Sequence, residues 1–200
     1  MFIVCNTMMS ERDINQGCKQ GNSNAQQALF DQYSPHLMAT IYRYVGNDDD
    51  AKDVLQDTFI KAFSMIDSFV WTGNGSLKAW ITRIAVNTSL NFLRSRRRTG
   101  ALTVDTADID DPPDMIDETT ATDVNSLDAS TIIEMVAELP DGYRTVFNLY
   151  CLDGYSHKEI AQQLGINEKS SASQLTRAKA LLAQKIRKRI NDNYYEQQHK

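Results

Sequence analysis

Apolar residues return at three- and four-residue steps along the first half of this chain. Ala28, Leu29, Tyr33, Leu37, Ile41, Tyr44 and Val45 mark one face of a helix. Gly46 stops it, and Asn47-Asp48-Asp49-Asp50 opens the next with acid at the positive end of the helix dipole. In that second helix Ala51, Val54, Leu55, Thr58, Phe59, Ala62 and Phe63 form the apolar stripe, while Asp53, Gln56, Asp57 and Lys61 lie on other faces. A glycine-containing loop, SFVWTGNGS, presents aromatic side chains that read as exposed. The segment LKAWITRIAVNTSLNFLRSRRR then reads as a further helix. No alternation of strand period reaches useful length, so the fold class is all-α.

The pattern resumes near the C-terminus. Leu139-Pro140 starts a helix (DGYRTVFNLYCLDG) with Val146, Phe147, Leu149 and Tyr150 as core candidates. Ser156 and Glu159 form a capping box for HKEIAQQL. Gly165 supplies the left-handed turn position, and Asn167 can cap a following helix that runs through Ala180 and beyond. Ile160, Ala161, Leu164, Ile166, Leu175, Ala178 and Leu182 fit two helices crossing over a shared core, as in a helix-turn-helix.

Composition matters chiefly between these two regions. From Thr99 to Val136 the chain repeats Asp and Glu, has no Lys or Arg, and carries Pro112-Pro113. Such a stretch cannot bury enough apolar surface to offset its ordering entropy, which predicts a flexible acidic linker. It is expected to serve either as a solvated spacer or as a partner-binding or DNA-mimicking segment. It also accounts for the net charge of −5, since the flanking parts together are slightly basic. At 42% hydrophobic and 24% charged, those parts can build ordinary soluble cores. Three scattered cysteines, Cys5, Cys18 and Cys151, suit a reducing cytoplasm and give no metal signature. The N-terminus lacks the basic start of a signal peptide, and no apolar run approaches the roughly 20 residues that span a bilayer.

Two clusters carry candidate chemistry. The second helix of a helix-turn-helix enters the major groove with its N-terminal residues near base edges. Here those are Lys169, Ser170, Ser171, Ser173, Gln174 and Arg177. Short hydroxyls allow close approach, and Gln and Arg can pair with adenine and guanine edges. Lys185, Arg187, Lys188 and Arg189 then offer phosphate contacts. A plain helical hairpin with a glycine turn would look similar. In the first region, Phe69 and Trp71, the glycine loop, Asn87 and the basic run Arg94, Arg96, Arg97 and Arg98 combine stacking surfaces with a positive track, the usual equipment for single-stranded nucleic acid. Arginines at a helix C-terminus also suit the dipole alone.

These residues resemble a known family. DAKDVLQDTFIKAF with the following loop and LKAWITRIAVNTSLNFLRSRRR is similar to domain 2 of bacterial RNA polymerase sigma factors. LPDGYRTVFNLYCLDGYSHKEIAQQLGINEKSSASQLTRAKALL is similar to their domain 4. With only these two domains and a short linker, the chain resembles the extracytoplasmic-function (ECF) subfamily. The resemblance implies an N-terminal extension over 1–19, domain 2 over 20–98, the acidic linker over 99–129, domain 4 over 130–190 and a tail over 191–200.

It further implies that Asp53, Gln56, Asp57 and Phe59 dock on the clamp helices of the core polymerase β′ subunit. Phe69, Trp71, Asn74, Trp80, Asn87, Arg94, Arg96 and Arg97 would handle a flipped base and the non-template strand of the −10 promoter element. Lys169, Ser170, Ser173, Gln174, Thr176, Arg177 and Lys179 would read the −35 element, with domain 4 resting on the β flap. An anti-sigma factor is a further expected partner. A cytoplasmic location is expected, with no cofactor, metal, membrane insertion, small-molecule substrate or enzymatic activity. Three positions depart from the family pattern: Ala172 and Gln174 stand where basic residues are common, and Ser171 where an aliphatic one is usual. The competing reading is a helix-turn-helix regulator that works without polymerase, which leaves the Asp53–Phe63 helix and the aromatic loop without a task. The three histidines are scattered and assemble no nucleophile and base, which excludes the common hydrolytic arrangements.

Overall fold

The computed structural model describes residues 9–98 and 128–198, and the chain divides into two compact units, Met1–Thr99 and Gly100–Lys200. The expected flexible linker lies almost wholly outside the described residues. Every regular element among the described residues is helical.

The N-terminal unit starts with α1 (Glu11–Lys19), a helix inside the expected N-terminal extension. Ser10 caps it by accepting from the Asp13 N–H, and Ile14, Asn15 and Cys18 face inward. Gly17 lies so close to α2 that a Cβ there would run into the Cβ of Ala25. Asn22 caps α2 (Ser23–Val45), which buries Leu29, Tyr33, Leu37, Ile41, Tyr44 and Val45 in the expected rhythm. Gly46 ends α2 at φ 81°, its N–H bonding the Tyr42 carbonyl, and the side chain of Asn47 caps α3 (Asp48–Met65). After a 3₁₀ turn (Ile66–Ser68) and the loop 69–75, α4 (Ser76–Arg98) packs against both α2 and α3. Leu77, Ile81, Ala85 and Leu90 of α4 close the core of this three-helix bundle, and α1 lies along α2 and the 3₁₀ turn. Fully burying each Leu, Ile or Val contributes about 1.5–3 kcal/mol, so the bundle is a stable platform for the loop it carries.

In the C-terminal unit Asp128 caps α5 (Ala129–Ala137). Pro140 precedes α6 (Asp141–Phe147), which continues into a π-helical turn over Asn148–Leu152 rather than one unbroken α-helix. That turn rotates Tyr150 outward to 40% exposure, against its expected place in the core, while Val146 and Leu149 are fully buried. The predicted capping box at Ser156 and Glu159 is formed in full and starts α7 (His157–Leu164). Gly165 turns the chain at φ 69°, and Asn167 accepts from the Ser170 N–H at the head of α8 (Glu168–Gln198). α8 is longer than expected and includes most of the stretch assigned to a tail. Its middle joins Leu182 and Ile186 to Met135 and Val136 of α5, with Phe147 and Ile190 against them.

One charged side chain fixes the α5–α6 corner. Arg144, 6% exposed, donates to the carbonyls of Ala137 (2.6 Å) and Leu139 (3.1 Å) and pairs with Asp141 (2.5 Å). Removing it strands two buried carbonyls and leaves the partly buried Asp141 carboxylate without this partner. Arg144→Ala is therefore expected to lower the stability of the C-terminal unit by about 3 kcal/mol, read as a shifted urea midpoint of the full chain.

Candidate nucleic-acid and protein interfaces

On α3 the residues expected to dock a partner separate into two groups. Asp53, Gln56 and Asp57 are exposed on one face, and Ile60 extends that face at 59% exposure. Phe59 does not belong with them. It is 4% exposed, with its ring 4.8 Å from that of Phe30 and 6.1 Å from that of Phe63. The three-residue step from Gln56 carries Phe59 inward while the four-residue step carries Ile60 outward, so Phe59 supports the face from below.

The loop between the 3₁₀ turn and α4 is ordered by its neighbours. Phe69, expected to be exposed, is 7% exposed and packs on Trp80 with ring centroids 4.9 Å apart. Val70, at 74%, is the outward apolar residue here. Trp71 is partly buried, with the Arg12 guanidinium 5.7 Å above its ring. The Trp71 Nε1 is buried and meets no acceptor among the described residues, so packing and the Arg12 cation set the ring's orientation. Asn74 is exposed between Gly73 (φ 144°) and Gly75 (φ 88°), conformations that a side chain would strain. The Ser76 hydroxyl closes the loop by donating to the Gly73 carbonyl (2.6 Å) and accepting from the Thr72 N–H (3.3 Å).

Along α4, Trp80, Asn87 and Arg94 follow at seven-residue steps and so share one face over about 21 Å of helix. Asn87 and Arg94 are exposed, and Arg94 donates to Asn91 (2.7 Å). Arg96 is half-buried, paired with Asp50 at the start of α3 and set over the Phe92 ring. Its charge is already partly satisfied inside the unit. The side chain of Arg97 lies outside the described residues.

In the C-terminal unit, Lys169, Ser173, Thr176, Arg177 and Lys179 are exposed on the first turns of α8, with Ser170 and Gln174 partly so. The Thr176 hydroxyl donates to the Ala172 carbonyl (3.2 Å), which leaves its oxygen as an acceptor. Ser171 is different. It is fully buried, its Oγ 2.9 Å from His157 Nδ1, and the His157 ring stacks on Tyr150 at 4.5 Å. The residue that departs from the usual aliphatic type thus ties α8 to α7 by a hydrogen bond and leaves the groove-facing set. Ser156 holds the Glu159 carboxyl below its usual range through its hydroxyl and its N–H. Among the basic residues further on, Lys185 reaches back to Glu138 just after α5 (2.5 Å), whereas Arg187, Lys188 and Arg189 are exposed.

Comparison with known proteins follows this division. The family model for Sigma-70 region 2 matches residues 29–99, and that for Sigma-70 region 4 matches residues 130–182. The ECF RNA polymerase sigma factor SigW of Bacillus subtilis is 30% identical over 187 residues, covering 90% of this chain and 98% of that protein. The ECF RNA polymerase sigma-E factor of Haemophilus influenzae is 28% identical over 184 residues, covering 89% and 96%. Among solved structures, the sigma factor RpoE in complex with the anti-sigma factor NepR from Bartonella quintana aligns at a TM-score of 0.47 with 25% identity, over 80% of this chain and 94% of that one. α1 precedes the region 2 match.

The burial of Phe69 has a direct consequence. Phe69→Ala is expected to cost the N-terminal unit about 3 kcal/mol, whereas Val70→Ala, one residue on, should change stability by less than about 0.5 kcal/mol. Denaturant titration of the two variants checks the pair.

Proposed function

The chain belongs to the ECF sigma factors of bacterial RNA polymerase, and we propose a division of its initiation work among the surfaces described above. As a sigma factor it acts by binding: it joins core polymerase, directs it to promoters and assists melting. No helix among the described residues is long and apolar enough to cross a membrane, and we place its work in the cytoplasm, where polymerase and DNA meet.

The α3 face of Asp53, Gln56 and Asp57 docks on the β′ clamp helices, with Phe59 holding it from beneath. The loop 69–75 and the exposed face of α4 receive the −10 non-template strand. Asn87 offers both a donor and an acceptor to an unstacked base, and Arg94 lies one further seven-residue step along. The head of α8 reads the −35 duplex through Lys169, Ser170, Ser173, Gln174, Thr176, Arg177 and Lys179, with the C-terminal unit resting on the β flap. An anti-sigma factor that covers one or more of these surfaces would keep the chain idle until released.

The observation that carries this reading is the pair of matches, region 2 on one unit and region 4 on the other, in that order along one chain. A regulator acting on DNA alone would have no use for the exposed acidic face of α3. Mixing the purified chain with core polymerase and mapping 5′ ends of transcripts from genomic DNA tests it. Co-elution and a shared two-part motif upstream of the starts are expected. DNA binding without polymerase association would favour the stand-alone regulator.

Single changes should separate the roles. Asp53→Arg with Asp57→Arg is expected to weaken core binding by about tenfold or more through like-charge opposition. Asn87→Ala should leave core binding intact and reduce open-complex formation, measured by permanganate reactivity of the melted strand. Arg177→Ala should cost about 1–3 kcal/mol of discrimination at one −35 position, read by competition between matched and mismatched duplexes.

A further inference from the structure

The helix α1 stands before the residues matched as region 2, yet three of its side chains reach the 3₁₀ turn and the loop 69–75 that follows it. Glu11 places one carboxylate oxygen 2.7 Å from the Tyr33 hydroxyl, which donates to it, and the other 2.5 Å from the Gly75 N–H. Gly75 is the residue just before α4, so Glu11 puts a negative charge at the positive end of that helix from a distant part of the chain. Arg12, one residue on, stands over the Trp71 ring. Lys19, at the other end of α1, donates to the carbonyl of Phe69 (2.7 Å) and, more weakly, to that of Asp67 (3.3 Å). Contacts therefore fall on the start, middle and end of the loop.

A helix of nine residues gains little stability on its own, and this one is fastened through its inner face. Ile14 and Cys18 are buried, and Gly17 allows the close approach to Ala25. Tyr33, 3% exposed and held neutral by burial and by its bond to Glu11, is the fixed post of the arrangement. Two glycines with positive φ would otherwise leave the loop many alternatives, and each contact from α1 removes some of them.

We propose that α1 is a clasp that pre-shapes the loop for the flipped base, with Glu11 as the positioning residue and Arg12 and Lys19 as its auxiliaries. This rests on the reading of the loop as the −10 receptor. A loop already in its bound shape spends less binding free energy on ordering, so the clasp should set affinity for the unpaired strand without touching it.

The chain carries two tryptophans, Trp71 and Trp80, both at this loop, so their fluorescence reports on it directly. The experiment compares wild type, Glu11→Ala, Glu11→Gln, Arg12→Ala and Asn87→Ala. Each is assayed for acrylamide quenching of the free chain, core-polymerase affinity, and holoenzyme affinity for a single-stranded oligonucleotide spanning the −10 segment of a promoter from the transcript map. Glu11→Ala should raise quenching about twofold and weaken strand binding about five- to tenfold, with core affinity unchanged. Glu11→Gln, whose amide can still accept from Gly75, should recover most of that loss. Arg12→Ala, an exposed substitution that leaves the fold intact, should raise quenching with a smaller loss of strand affinity. If Glu11→Ala lowers the melting temperature yet binds the strand as wild type does well below it, α1 is only structural and the proposal falls. If the wild-type holoenzyme does not bind the strand, or Asn87→Ala binds it equally well, the −10 reading falls, while the quenching arm still decides whether α1 holds the loop.

Discussion

Every helix begins with amide groups that its own hydrogen bonds cannot reach, and here the way those groups are satisfied determines where the working side chains stand. Ser10, Asn22, Asn47, Asp128, Ser156 and Asn167 each meet the need locally, from the residue just before a helix. In the C-terminal unit the capping box and the left-handed Gly165 set the entry and exit of α7, and so the direction in which α8 leaves the turn. At the head of α4 the Ser76 N–H turns back to the Gly73 carbonyl, while the Gly75 N–H is met by Glu11, more than sixty positions earlier. That difference couples the loop to the packing of α1. A purely local cap would have let α4 form with the loop free.

Much of this was legible in the sequence, for a definite reason. A cap residue, a turn glycine and a three- to four-residue apolar rhythm are local signals, and local hydrogen bonding obeys them. What escaped was either non-local or a break in the regular apolar rhythm. Phe69 and Trp71 both read as loop aromatics, but the direction of each depends on Trp80 and on α1. Ser171 counted as a polar reader because hydropathy cannot see that His157 waits beneath it. Tyr150 was placed in the core by a regular helical phase, and the π-helical turn inserts one residue into that phase, a rotation of about 100°. α1 itself offers only Ile14 and Cys18 as buried apolar positions, too few to announce a helix by periodicity.

Charge follows a similar logic. The chain is acidic as a whole, yet several of its cations are already spoken for by nearby acids. Asp50 holds Arg96, Asp141 holds Arg144, and Glu138 holds Lys185. These pairs differ in kind. Arg144 is sealed in a corner and serves the fold, whereas Lys185 and Glu138 are largely in water and contribute little. Basic residues that a sequence count would assign to DNA thus divide into structural and available ones. Lys169 and Lys179 on the first turns of α8, and Arg187, Lys188 and Arg189 further along it, are exposed.

Committing part of the positive charge to internal pairs suits a protein that shares its promoter with a polymerase. Phosphate contacts give affinity without sequence information, and base contacts give information at modest affinity. A sigma factor with many free cations would hold DNA indiscriminately by itself. One with few depends on the enzyme for affinity and keeps its own contacts for discrimination. Pre-shaping of the loop from α1, as proposed, fits that division: a receptor that does not rely on general electrostatic attraction gains by arriving already folded.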